Sequence, residues 1–308
     1  MAQPIQKQLS NTPLLGIFFM ALAIFLFNTV NIIVKDQADA YPIGQILFFR
    51  NLFGLVPAFI IMFLRREKGL FKIHKPGLHL KRALFGTIGL LGIFLSLKLL
   101  VLAEAAAIFF TTSLFMTVLS PLLLKETVGL HRWIAVLIGF GAILWMKPPT
   151  NLLQIGAAIA LAGSFFDALN MIFSRKLSHY EQSSTIHFYF TLLSAAFVTP
   201  LLFVDPGLNE SWFGMVCGWK EMTWTFVAFM AVLGIGGSVA QFCITQANRH
   251  AQPSVIAPII YTGIVWAIIF DFAIWGVAPT MKLMGGGGLV IISGLYIIWR
   301  ERSVARQS

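Results

Sequence analysis

Residues 27–36 read FNTVNIIVKD and residues 166–175 read FDALNMIFSR, and both stretches lie inside runs of Phe, Leu, Ile, Ala and Val. Each places two polar side chains three residues apart: Asn28 and Asn31 in the first, Asp167 and Asn170 in the second, with Ser164 one further turn back. That spacing puts each pair on one face of an α-helix. An amide left unpaired in hydrocarbon costs several kcal/mol, and an ionisable group there faces a cavity or a partner. The amides offer donors and acceptors to a polar ligand. Asp167 offers either proton exchange or a fixed anion for an amino group. For each of these residues the alternative is a hydrogen bond that ties one helix to the next. Ser238, Gln241, Thr245 and Asn248 recur at i, i+3, i+7 and i+10, and Ser113, Thr117 and Ser120 form a shorter stripe of the same kind. Tyr261 and Trp266 are polar-tipped aromatics well inside apolar runs. Five residues turn about 140° on a helix, so one of the two faces a cavity while the other packs. The candidate binding set is therefore Asn28, Asn31, Ser113, Thr117, Asp167, Asn170, Ser238, Gln241, Tyr261 and Trp266.

Other chemistries lack their residues. No G-x-x-x-x-G-K-[ST] loop is present to cradle ATP phosphates. GIGGSV (234–239) begins like a dinucleotide fingerprint but ends on Val239 with no βαβ pattern around it, and its glycines read as helix-packing positions. The six histidines, His74, His79, His131, His179, His187 and His250, fall at or near span ends without zinc spacing, and read as loop residues. Neither an enzyme nor a cofactor is expected. A membrane-embedded enzyme or lipid translocator is the alternative of another class, and it would need a nucleophile, base or metal cluster facing one leaflet.

Ten apolar runs position these side chains, near 13–33, 44–64, 82–99, 103–123, 129–146, 153–174, 186–204, 223–245, 253–272 and 281–299. Each approaches the roughly 20 residues that cross a bilayer as a helix. The 308 residues are 58% hydrophobic and 11% charged, less than half of the roughly 25% charge typical of a soluble domain. The expectation is one all-α polytopic membrane domain. Its net charge of +10 is asymmetric: loops on the side of the N-terminus carry sixteen of the 22 Lys and Arg, the other side five, and Arg50 lies within the second run. By the positive-inside rule both termini are cytoplasmic, and the basicity reports topology rather than a nucleic-acid partner. Seven of the eight tryptophans fall near span ends, where an aromatic belt belongs, and only Trp266 sits well inside.

The two polar pairs belong to a longer echo. ALAIFLFNTVNII (21–33) matches ALAGSFFDALNMI (160–172), and a second echo pairs Gly86 with Gly234 and Gly89 with Gly237. Five spans per half is an odd number, so the second half enters from the opposite side. Inverted repeats of this kind build secondary transporters with the site between the halves. The expected boundaries are 1–147 for the first repeat, 148–152 for a linker, 153–299 for the inverted second repeat and 300–308 for a cytoplasmic tail.

The stretch SPLLLKETVGLHRWIAVLIGFGAILWMKP (120–148) resembles the end of a repeat in the EamA-like branch of the drug/metabolite transporter superfamily: a Pro-containing helix, a short Glu-bearing turn, then a Gly-rich helix. The second half departs from that pattern, with Val277 in WGVAP where the first half has Glu126. The resemblance implies ten helices around a central cavity, with the first, third, fourth, sixth, eighth and ninth innermost and a structural role for Arg50 on a peripheral second helix. It further implies a bacterial inner-membrane carrier of small molecules, an exporter of amino acids including aromatic ones, or an uptake carrier of S-adenosylmethionine or another nucleoside-like metabolite. As partners it leaves the substrate and the lipid bilayer, in a monomer or weak dimer. Single cysteines introduced into the 66–80 loop should react with membrane-impermeant maleimide only after the cells are opened; labelling in intact cells would overturn the topology.

Overall fold

The computed structural model describes residues 13–64, 73–124, 153–178, 180–204, 213–250 and 262–305, with residues 134, 137, 138, 141, 145 and 259 singly besides. Its helices are α1 (Pro13–Gln37), α2 (Ile43–Leu64), α3 (Pro76–Leu99), α4 (Leu102–Phe109), α5 (Thr111–Leu124), α6 (Leu153–Ser178), α7 (Ser183–Val198), α8 (Trp224–His250), α9 (Thr262–Trp275) and α10 (Met281–Ala305). A 3-10 turn at Thr199–Phe203 extends α7, and one helical turn spans Phe213–Val216. Among the described residues no strand occurs. Six helices, α1, α2, α3, α6, α8 and α7 with its extension, are long and apolar enough to cross a bilayer. The protein is an all-helical, multi-pass membrane protein. Large apolar side chains such as Phe18, Phe63, Leu64, Phe272 and Ile292 remain exposed on its outside, as a lipid-facing surface requires.

Two elements differ from the sequence expectation. The third helix begins at Pro76 rather than residue 82, because proline suits the first helical turn, whose N–H groups have no acceptor. His79, Lys81 and Arg82 are therefore helical. The run 103–123 is divided at Phe110 into α4 and α5. There the Ile108 carbonyl accepts from the Thr111 hydroxyl at 2.6 Å and lies 3.5 Å from the Ser164 hydroxyl, side-chain bonds that compete with helix continuation. The span expected near 129–146 and the start of that near 253–272 lie outside the described residues.

Helices touch most closely where glycine replaces a side chain. A Cβ on Gly163 of α6 would sit 2.9 Å from the Ile93 amide nitrogen and 3.1 Å from the Gly89 carbonyl oxygen of α3. One on Gly89 would come within 2.9 Å of the Asp167 amide nitrogen. On the other side, a Cβ on Gly234 of α8 would lie 2.6 Å from the Arg50 carbonyl oxygen and 2.8 Å from the Gly54 nitrogen of α2. In lipid, where apolar surface gives little drive for association, such backbone approach supplies the dispersion contact that holds helices together. The principal neighbours are α3 with α6, α1 with α8, α2 with α7 and α8, α3 with α7, α5 with α6, α1 with α9 and α4 with α9.

The end of the bundle opposite the start of α1 is tied by polar bonds. Lys35 Nζ donates to the Leu100 carbonyl at 2.6 Å, Lys98 Nζ to that of Ala38 at 2.7 Å and Lys220 Nζ to that of Ala40 at 2.8 Å. Gln45 exchanges two bonds with the Lys220 backbone. Asp271 of α9 is buried, and its carboxylate accepts the amides of Leu102 at 3.1 Å and Ala103 at 2.7 Å. It thus caps the N-terminus of α4 from another helix. Replacing Gly163 by Ala pushes a methyl group into α3 backbone that has no side chain to move aside, and should cost about 1–3 kcal/mol. A clear drop in melting temperature in detergent is expected, against none for Gly77→Ala, where a Cβ meets nothing within 4 Å.

Candidate functional site

A cavity of about 130 Å³ lies between α2, α3, α6, α7 and α8, toward the end where α6 stops and α7 starts. Its wall takes Ala58 and Ile61 from α2, Arg82 from α3, Ser174 and Ser178 from α6, Ser183, Ser184, Ile186 and His187 from α7, and Ser238, Gln241 and Phe242 from α8. Ser178 and Ser183 are exposed and mark its mouth. Glycine shapes the helices around it: a Cβ on Gly86 would collide with the Phe190 ring and stand 3.0 Å from the Asn170 amide. The bare α3 face thereby admits Phe190, and Phe190 in turn lies under the Arg82 guanidinium, 4.4 Å from ring centroid to cation.

Arg82 is 7% exposed. Its Nη1 donates to the Ile186 carbonyl at 2.6 Å, while its buried Nε has no hydrogen-bond partner among the described residues. His187 Nε2 stands 3.4 Å from Ser238 Oγ, which donates to the Gly54 carbonyl at 3.0 Å. Deeper along the helices Asn170 Nδ2 donates to Asp167 Oδ1 at 3.0 Å, and the other side of that amide, Asn170 Oδ1, is buried without a partner among the described residues. Asp167 interacts electrostatically with both Arg82 and Arg50. Arg50 bonds Asn51 Oδ1 at 3.2 Å and lies 5.7 Å from the Phe94 ring, with its Nε likewise unpartnered. Beside this group, Asn51 Nδ2 donates to Ser194 Oγ at 2.9 Å, and Thr87 Oγ1 lies 2.9 Å from the same oxygen, so one buried hydroxyl joins α2, α3 and α7.

The sequence candidates divide accordingly. Ser238 and Gln241 line the cavity, and Asp167 with Asn170 forms the polar pair beyond it. Asn28 is buried and donates to the Ile24 carbonyl of its own helix at 2.9 Å, and Asn31 is half-buried on α1. Trp266 packs edge-on against Phe25 at 5.1 Å and stacks with Phe270. Tyr261 and the side chains of Ser113, Thr117, Ser120, Thr245 and Asn248 lie outside the described residues. Arg82 and His187, read from sequence as residues of the loops and span ends, stand in the cavity wall instead. His79 is likewise a buried helix residue, its Nε2 2.6 Å from Glu181 Oε2. The sequence signal for His79 and Arg82 is Pro76, which moves the start of α3 to before both.

The EamA-like transporter family model matches this chain twice, over residues 14–147 and 154–300. The chain belongs to the EamA-like transporter family. Among its relatives, this EamA-like protein is 24% identical over 285 residues to the pseudopaline exporter CntI of Pseudomonas aeruginosa, covering 90% of this chain and 94% of the relative. It is 24% identical over 298 residues to an S-adenosylmethionine uptake transporter of Rickettsia bellii, covering 94% of each. A crystal structure of 17% sequence identity superposes with a TM-score of 0.62 over 94% of this chain and 98% of that one, a likeness of fold. In this EamA-like protein Ser194→Ala removes the acceptor of Asn51 and the neighbour of Thr87 in a buried site, and should destabilise it by about 1–3 kcal/mol. Thermal unfolding in detergent checks this, with Thr29→Ala, on an exposed hydroxyl bonded within its own helix, as the expected near-neutral control.

Proposed function

We propose that this protein is a secondary transporter that moves small organic metabolites by alternating access, with export of amino acids, aromatic ones included, as its activity. One observation carries the reading: a polar cavity reaches one face of the bundle at Ser178 and Ser183, while lysine–carbonyl bonds and the Asp271 cap tie the opposite end. That is the arrangement of a carrier open to one side. The helix neighbours support two repeats. Exchanging α1 with α6, α2 with α7, α3 with α8 and the α4–α5 pair with α9 maps the α3–α6 contact onto α1–α8, α2–α8 onto α3–α7 and α5–α6 onto α1–α9. The double family match supports the same boundaries. With both termini cytoplasmic, the open face is the cytoplasmic one. The S-adenosylmethionine uptake relative favours a second reading, an uptake carrier for a nucleoside-like metabolite.

Asp167 is the candidate for coupling or for holding a substrate amino group. Asn170 orients its carboxylate, and two arginines set its field. Purified protein in liposomes is expected to exchange at least one labelled amino acid from a panel that also holds nucleosides and S-adenosylmethionine. Asp167→Asn keeps the shape and removes the charge; it should slow that exchange at least about tenfold, equivalent to 1.4 kcal/mol, or abolish its pH dependence. Movement of none of the panel would overturn the amino-acid reading, and an unchanged rate and pH profile in a stable variant would remove both roles from Asp167.

A further inference from the structure

Among the described residues, the wall of the cavity carries no carboxylate. Its charged member is Arg82, and around it stand five serines, Gln241 and His187. A guanidinium presents five N–H donors in a planar fork, of which Ile186 takes one. Its Nε is buried with no partner among the described residues, although an unpaired donor in such a site costs about 1–3 kcal/mol. Arg82 is also fixed in place, by Ile186 at one nitrogen and by the Phe190 ring beneath it. Its described anionic neighbour, Asp167, acts on it at longer range than an ion pair. A preset cationic fork beside a hydroxyl-lined space lacks a compact anion.

We infer that Arg82 is the anion-recognition point of this cavity and that its ligand carries a carboxylate, which the guanidinium receives through two N–H groups while the seryl hydroxyls complete the shell. This deepens the transport reading and rests on it for the site's role, though not for binding. The charge balance selects the class. Arg50 and Arg82 with Asp167 leave one formal positive charge in this part of the membrane interior, which a carboxylate group placed at Arg82 offsets locally. A phosphate dianion would overshoot. A purely cationic ligand would add a second uncompensated charge. The size agrees, since about 130 Å³ is below the roughly 300–1,000 Å³ of pockets for drug-sized ligands and takes a compact acid or the acidic head of a longer molecule.

Matched pairs of compounds test the inference on the full chain in detergent or nanodiscs. L-Phenylalanine, phenylpyruvate and 3-phenylpropionate are compared with phenylalaninamide, phenylalanine methyl ester, 3-phenylpropionamide and inorganic phosphate, reading ligand-induced thermal stabilisation. At least one carboxylate should stabilise the wild-type protein, and its amide or ester should bind at least about tenfold more weakly. Arg82→Gln should abolish the difference, and Arg82→Lys should retain part of it, because an ammonium keeps the charge and loses the fork. Equal binding of a carboxylate and its amide, stabilisation by phosphate in preference to every carboxylate, or no carboxylate binding at all would overturn the inference. The wild-type comparison decides this even where Arg82→Gln fails to fold. Liposome exchange separates the two readings: carboxylate binding without movement upholds the site and overturns transport, whereas movement of an uncharged or cationic compound, indifferent to Arg82→Gln, upholds transport and overturns the site.

Discussion

Backbone touches backbone where α3 crosses α6, at Gly89 and Gly92 against Gly163. Much of the interior follows from that contact. Because α3 offers no side chain on this face, the Asp167 backbone stands directly against Gly89 and the Asn170 amide against Gly86. Gly86, one turn nearer the cavity, admits the Phe190 ring, and the ring supports the guanidinium of Arg82. A row of missing methyl groups thus bears on the position of a charge two contacts away. The α2–α8 approach at Gly54 and Gly234 has the same character and brings Ser238 to the Gly54 carbonyl.

This dependence explains what is legible without coordinates. Apolar run length marks α1, α2, α6 and α8 closely, because a membrane helix must satisfy its own backbone and so announces itself by about twenty mostly apolar residues. The glycine pairs Gly86/Gly234 and Gly89/Gly237 are visible as an echo, and all four lie against another helix or its side chain. Ser238 and Gln241 stand out by periodicity, since a polar stripe on a buried helix has few uses.

Other features leave no such mark. Arg82 sits near Lys81, Lys75 and Lys72 in a basic stretch that reads as a loop, and only the capping preference of Pro76 separates it from its neighbours. His187 follows the serine-rich start of α7 and carries no spacing signal. At the division at Phe110 the Ile108 carbonyl takes a local bond from Thr111 and also faces Ser164 of α6, a contact between residues 56 positions apart that no local pattern contains. Asn28 and Asp167 match in the echo yet part in structure: the amide folds back on its own helix, whereas the carboxylate, which cannot donate, takes Asn170 as its donor. A repeat preserves position more faithfully than it preserves chemistry.

The tied end of the bundle consists almost entirely of bonds to backbone: three ammonium groups on carbonyls, a glutamine on a peptide unit, and the Asp271 carboxylate on two amides. Separating the helices leaves both members of every such pair bare. Apolar surfaces can slide apart dry, but these cannot. Solvent has to enter as they part and take over each bond in turn, at a modest entropic cost for every molecule it immobilises. Any opening of that side is therefore a wetting transition, governed by how readily water reaches Lys35, Lys98 and Asp271 as much as by the helices themselves.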